Sequence, residues 1–395
     1  MQRHRESGQA LVLVGVSLVV LIAVLGLAID MGFLRYTKRR LQTAADSAAI
    51  AGASELNGGN YRAAALNDSK SNGFENGVNG ITVNPHNPPV DPPFSTKLNS
   101  ATFVEVQVQQ DAPTFFMRIF GVRHATVSAT AVAQLASSRG CIYALGLLTG
   151  ITVQGNVNAP NCGVLDNAIL SLGGGCITAS SIGVVLRLLG GCANPPPIIG
   201  IDPTPDPLAY LVPPGIPACK FATTYVVKSK TTTPMYPGRY CGGIVVDRTN
   251  TGDVVFNSGL YILDKPGLQV PAGNPTNLRG NGVTFYITGG GSVQLNGTGN
   301  VTLTAPTTSP SPGIPAGVLF YQDRGNPAAA SINGNINFTG ALYFPGATLT
   351  LGGAVNSGYA VLVADIINFN GNVGIGSDFS SLPAGSPVKA AVLVQ

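Results

Sequence analysis

The stretch ALVLVGVSLVVLIAVLGLAI, residues 10–29, runs for twenty residues without a charge, and its reading decides how the rest of the chain is organised. An α-helix rises about 1.5 Å per residue, so this stretch reaches across a hydrocarbon core of about 30 Å. The alternative is a cleaved signal peptide, because Arg3 and Arg5 make a positively charged n-region. Signal-peptide apolar cores run about 7–15 residues and end at a small-x-small site. This run is longer and no such site precedes charged sequence, so the expectation is a retained single-pass anchor in a lipid bilayer. A short cytoplasmic tail, 1–9, would precede it.

Orientation sets two signals against each other. Arg35, Lys38, Arg39 and Arg40 follow the run, against Arg3 and Arg5 before it, and a plain count would keep the C-terminal side in the cytoplasm. Long domains translocate largely regardless of charge, and the cysteines and β-rich composition below favour an extracytoplasmic C-terminal side. The expected arrangement is therefore a single membrane span with the bulk of the chain outside the cytoplasm.

The helix continues past the lipid. Residues 41–56, LQTAADSAAIAGASEL, contain no Pro and one Gly. Ala44, Ala48 and Ala51, and Ala45 and Ala49, recur at helical spacing and give a small-residue face for close helix approach, either to the chain's own domain or to a partner. Residues 10–56 thus read as one transmembrane and stalk helix.

Ser7-Gly8-Gln9-Ala10, the apolar run, Asp30-Met31-Gly32 and then Arg40-Leu41-Gln42-Thr43-Ala44-Ala45-Asp46-Ser47-Ala48-Ala49 resemble the N-terminal segment of the TadG-like Flp (tight adherence) pilus-assembly proteins. The resemblance implies an inner-membrane protein that meets other pilus-assembly membrane proteins through this helix. Prepilins carry Glu at the fifth mature position; counting from Gln9, Leu13 stands there. Cys141-Ile-Tyr-Ala-Leu145, Tyr240-Cys-Gly-Gly-Ile244, Val283-Thr-Phe-Tyr-Ile287, Ala341-Leu-Tyr-Phe-Pro345 and Ser386-Pro-Val-Lys389 are similar to segments that follow the anchor in TadG-related proteins.

Only 10% of the residues are charged, there are 51 Gly and 29 Pro, and Trp is absent. Few charges with much Gly, Asn, Thr and Val favour short strands and tight turns over helices. The net charge of +4 comes largely from residues flanking the anchor, which argues against a nucleic-acid surface. The fold class expected is α+β. After the helix comes a small pilin-like α/β unit, 57–135, with a short helix around Ala63–Leu66 and a Pro-rich loop from Pro85 to Pro93. Val104, Val106 and Val108 alternate with Glu105, Gln107 and Gln109, as in a half-buried strand, and 125–135 alternates again. Phe115 to Phe120 reads as a helical turn or two. His86 and His124 lack ligand partners at useful spacing and read as exposed loop residues.

The remaining 136–395 is expected to be mainly β. It holds all six cysteines: Cys141, Cys162, Cys176, Cys192, Cys219 and Cys241. An even number confined to one region points to disulfides in an oxidising compartment. No CxxC pair and no His after His124 are present for zinc, so no metal or other cofactor is assigned. Neighbours in order are the expected pairs, Cys219 with Cys241 foremost. The Pro-rich passage 194–217 excludes a helix or inner strand and reads as an extended crossing.

Apolar bursts follow Gly259, Gly282, Gly317, Gly340 and Gly358 at offsets of 23, 35, 23 and 18, and Asn-Gly pairs at Asn296, Asn333 and Asn370 lie 37 apart. Units of this size with Gly/Asn corners predict a parallel β-helix (solenoid), whose corners tolerate positive φ and whose stacked Asn side chains extend the ladder. A β-sandwich with hairpins at the Asn-Gly turns is the alternative.

Catalytic residues are not assigned. Glycoside hydrolysis needs two carboxylates, one of them an acid with a raised pKa. After residue 135 there is no Glu or His, and the nine Asp (Asp166, Asp202, Asp206, Asp247, Asp253, Asp264, Asp323, Asp365 and Asp378) read mostly as turn residues. Asp323-Arg324 reads as an exposed ion pair. The expected function is a non-enzymatic, membrane-anchored component of pilus assembly. The alternative is an adhesion module binding a surface polysaccharide, with a carbohydrate-active enzyme behind it.

Overall fold

The apolar run and the Ala-rich segment form one unbroken helix, α1 (Ser7–Ser54), in the computed structural model. The structure describes residues 7–56, 60–98, 100–137, 140–383 and 385–394; most of the expected 1–9 tail, with Arg3 and Arg5, lies outside them. The chain divides into two units: Met1–Ala136 with Ala390–Gln395, and Ser137–Lys389. We call them the anchor unit and the ladder unit.

In the anchor unit, α1 is exposed from Val12 to Leu25 except at half-buried Ala23. Beyond that, Gly26, Asp30, Thr37, Leu41, Ala44 and Ala48 are buried in steps of three, four or seven residues, which places them on one face. A second helix, α2 (Tyr61–Ser71), packs on α1. Three strands follow: β1 (Ile81–His86), β2 (Phe103–Pro113) and β3 (His124–Ser137), with β1–β2 and β2–β3 antiparallel. Val83, Val104, Val106 and Val108 meet the Ala residues of α1, and Ala129, Ala131 and Ala133 complete the layer. Short side chains on both surfaces bring the helix close to the sheet.

Three expectations change here. Lys389–Leu393 is the fourth strand of this sheet, beside β3, so the expected 136–395 domain surrenders its last residues to the anchor unit. His86 and His124 lie on strands, not loops; His86 is opposite Glu105 in register, and His124 Nδ1 is 3.4 Å from the Asp111 carboxylate. Glu105 does not face solvent as the alternation implied. It is 0% exposed, because the loop at Asp91 folds over it and donates its backbone N–H to Oε2.

Among the described residues the strands of the ladder unit pair in parallel, apart from isolated bridges, and short strands stack in three columns. One runs Tyr261–Phe285–Phe320–Leu342, a second Ile244–Leu268–Val293, a third Val254–Leu278–Val301–Ile336. Inward Val, Ile and Leu fill the space between them, with aromatic rings stacked tier upon tier: Tyr261–Phe285 at 5.4 Å and Phe285–Phe320 at 5.1 Å.

The tiers are not in sequence order. Leu362 pairs with Ile142, and Ile367 with Ile151, so the chain begins in the middle of the stack. It builds outward through 157–172 and 177–190 to Ile198–Ile199. The Pro-rich passage 194–217 then leads to a distant tier at Cys219–Phe221, and later tiers build back to the start. This passage covers the outside of the first column: Leu208 and Leu211 are buried against Ile262, Tyr286, Tyr321 and Tyr343. Strands covered on both faces carry continuous apolar runs, which is why Val283–Ile287 and Val318–Gln322 are buried at every residue.

The Asn-Gly pairs are corners, and Asn333-Gly334 lies within the continuous strand Ala330–Phe369 rather than in a hairpin. Positive φ explains little of the pattern, since among Gly297, Gly334, Gly353, Gly371, Gly155 and Gly175 only Gly334 and Gly353 have it. Space explains more. A Cβ on Gly353 would lie 2.4 Å from Gly334 O, on Gly371 2.2 Å from Gly353 O, and on Gly155 2.1 Å from Gly371 O. One corner is therefore a column of glycines in backbone contact. Beside it Asn333 Nδ2 donates to Asn296 Oδ1 at 2.6 Å, and Asn335 Nδ2 to Asn300 Oδ1 at 2.6 Å.

Candidate functional site

Where α1 leaves its apolar run, one acid organises a loop. Asp30 is 1% exposed, and its carboxylate accepts the backbone N–H groups of Phe115 and Phe116, each at 2.9 Å, and of Met117 at 2.6 Å. Those are the free donors at the start of a short 3₁₀ turn (Met117–Phe120). Phe115 sits edge-on to Phe33 at 5.2 Å. Phe116 lies against Gly26, where a Cβ would come within 2.6 Å of the ring. Sequence reasoning recorded Asp30 only as part of the helix exit. The available signal was a single acid directly after twenty apolar residues.

The Ala-rich face is occupied. Ala44, Ala45, Ala48, Ala49 and Ala53 are all 0% exposed within the anchor unit's own core. The apolar run is exposed from Val12 to Ile29 apart from Ala23 and Gly26, and is open to a bilayer or to other membrane helices.

The six cysteines form three disulfides, Cys141–Cys162, Cys176–Cys192 and Cys219–Cys241, with Cα separations of 5.3, 4.6 and 5.7 Å. Each closes a loop of 16 to 22 residues, about one tier, so each ties a tier to its neighbour.

The aspartates of the ladder unit hold its backbone. Asp166 is 0% exposed and accepts the N–H groups of Ile151 and Ala168; burial pushes its carboxyl above the ordinary range against those two bonds. Asp323 and Arg324 are not paired with each other. Asp323 accepts the Tyr286 hydroxyl, while Arg324 donates to the Tyr343 hydroxyl and to the carbonyls of Leu208, Ala209 and Leu211. Tyr343 in turn donates to Asp206. Arg324 and Asp206 thereby clamp the Pro-rich crossing onto the first column. Among the described residues no three His, Cys, Asp or Glu side chains gather as metal ligands.

A groove of about 940 Å³ lies on the third column of the ladder unit, lined by Arg279, Asn281, Asn300, Thr302, Asn335 and Asn337 among others. Arg279, Thr302 and Asn337 are in register on successive tiers. The row offers amides and hydroxyls at regular spacing with one cation. That arrangement can hydrogen-bond a repeating polar ligand.

Residues 8–55 match the family model described as putative Flp pilus-assembly TadE/G-like, and residues 38–133 match that described as putative Tad-like Flp pilus-assembly. Together the two matches span the first third of the chain. Both Tad matches end before the ladder unit begins, so the resemblance read in 141–389 has no counterpart in them. No curated protein and no solved structure matches the chain.

Proposed function

We propose that the protein is a membrane-anchored, non-enzymatic component of Flp pilus assembly, held in the bacterial inner membrane by α1 with both units outside the cytoplasm. The carrying observation is that the Tad matches span 8–133, the sequence of the anchor unit, whose helix leaves a lipid-length apolar segment uncovered. The outward orientation is supported by three disulfides, which persist in oxidising compartments. We read the ladder unit as a parallel β-solenoid, a shape whose regular faces suit display. Other Tad-type membrane proteins would meet the exposed segment of α1.

A second reading, adhesion through a surface polysaccharide, is favoured by the Asn/Thr groove at Arg279. Gene deletion separates the two. Loss of pili, restored by the full chain, supports the assembly role; normal pili with reduced adhesion would transfer the function to the groove. Release of oligosaccharides from a glycan panel by the purified protein would overturn the non-enzymatic reading. Orientation is read by thiol labelling of intact cells after mild reduction, where protection of Cys219 and Cys241 from an impermeant reagent would reverse it.

A further inference from the structure

The loop that Asp30 holds carries apolar side chains that its own unit leaves uncovered. Ile119 is 77% exposed and Phe120 69%, with Phe115 at 48% and Val122 at 40% beside them. Single exposed apolar residues need no explanation, but four within eight consecutive positions form a patch. The position of this patch along α1 says what covers it.

Phe116 is in contact with Gly26, three residues inside the end of the apolar run at Ile29. Three residues of helix are about 4.5 Å. When residues 10–29 span a bilayer, the Phe116 ring therefore lies at the boundary between acyl chains and headgroups. The rest of the turn is fixed there with it by the three Asp30 bonds. Groups suited to a membrane interface follow the apolar run. Tyr36 is 59% exposed on α1, Arg35, Lys38 and Arg39 are exposed in the next turns, and Arg118 and Arg123 are exposed in and just after the loop, with long side chains that can reach lipid phosphates.

We propose that residues 115–122 are a second membrane contact: a wedge whose Ile119 and Phe120 enter the interfacial region of the same bilayer that α1 spans. The loop is continuous with the lipid-facing surface of the anchor, and its cationic rim complements anionic headgroups. Two attachments, one spanning and one interfacial, would fix the rotation of α1 and seat the anchor unit on the membrane surface. This rests on the reading of α1 as a membrane anchor.

The absence of Trp makes the test direct. Phe120→Trp in the full chain, reconstituted into nanodiscs lacking scaffold Trp, gives a single tryptophan that is excited selectively over the 12 tyrosines at the red edge of their absorption. Leu21→Trp, in the anchor, and Ile50→Trp, about 30 Å farther along α1 than Ile29, serve as lipid and aqueous references. The wedge predicts blue-shifted emission for Phe120→Trp, loss of most of its intensity with acyl-chain-brominated lipids, and protection from aqueous iodide. Emission and iodide quenching like those of Ile50→Trp, with Leu21→Trp quenched by the brominated lipid, would overturn the wedge and leave the anchor standing. Leu21→Trp unquenched by lipid would overturn both. Protection of Phe120→Trp from iodide and from brominated lipid alike would assign the patch to a protein contact and also overturn the wedge. Ile119→Trp repeats the measurement at a side chain that is 77% exposed, so a folding failure of one variant does not decide the outcome.

Discussion

The anchor unit is built from small residues and the ladder unit from large ones, and the two solve the same problem of burying apolar surface in opposite ways. In the first, Ala44, Ala48 and Ala131 let one long helix lie close on an antiparallel sheet, and no disulfide is present among the described residues. In the second, rings stack through the middle of parallel tiers, and three disulfides tie tiers together. The family matches follow the division: they cover the small-residue unit and stop before the stacked one. The difference teaches that the sequence shared with the pilus-assembly families is tied to the helix and what packs on it. The ladder unit has its own means of stability, in its ring stack and its disulfides.

Opposite kinds of substitution should therefore damage the two units. Phe285 is fully buried between Tyr261 and Phe320, so Phe285→Ala removes one ring from a continuous stack. It is expected to cost about 3–5 kcal/mol, the largest single effect here, read as a lowered urea midpoint of the ladder unit. A cost under about 1 kcal/mol would mean that the stack does not carry the core. Next comes Cys219→Ser with Cys241→Ser. Opening a loop of 22 residues gives the unfolded chain entropy worth about 3 kcal/mol on the loop-closure account. Dithiothreitol opens all three disulfides and should lower the stability of the ladder unit further, while hydrogen exchange of the anchor unit stays unchanged.

Ala48→Leu makes the converse test in the anchor unit. The site has 0% exposure between α1 and its sheet, and three added carbons have no space to fill. Overpacking there is expected to cost about 1–3 kcal/mol, measured by thermal unfolding in detergent. A silent Ala48→Leu would show that the helix–sheet interface is loose, and the contrast between the units would fail.

Much of this was legible in the sequence, and the reasons for the rest are specific. Twenty uncharged residues and an Ala-rich continuation could only be one long helix. The bursts Gly282–Ile287 and Gly317–Tyr321 announced strands buried on both faces, although the cover came from the Pro-rich crossing, which no local pattern places. The order of the tiers was hidden because the pairing of Leu362 with Ile142 spans most of the unit, and periodicity reports only neighbours. Asn-Gly was noticed for its backbone freedom, whereas at Gly371 and Gly155 the requirement is the missing Cβ against a carbonyl on the next tier. The cap made by Asp30 escaped because its partners are some 85 residues away. Arg324 was paired with its sequence neighbour for the same reason, since its true partners lie in the crossing.

Glu105 provides the finest test of the comparison, because among the described residues it is the one large polar group that the small-residue unit buries in its sheet. Alternation with Gln107 and Gln109 marked it as solvent-facing, yet it is fully covered, with Oε1 lacking a hydrogen-bond partner. Burial raises its pKa above the usual glutamate value, partly offset by the Asp91 N–H, with the nearby Asp91 carboxylate adding to the rise. Between the ordinary and the raised value the folded chain binds more protons than the unfolded one, so this group makes stability fall as pH increases through that window. Its penalty is absent below the unfolded pKa and complete above the folded one. Glu105→Gln removes the ionisation and should flatten that part of the profile while leaving stability at acid pH nearly unchanged. Asp166 is raised in the same direction in the ladder unit. The slope must therefore be read from hydrogen exchange at Val104, Val106 and Val108. An unaltered slope at those amides would show that Glu105 ionises alike in the folded and the unfolded chain, and that its burial does not penalise the charge.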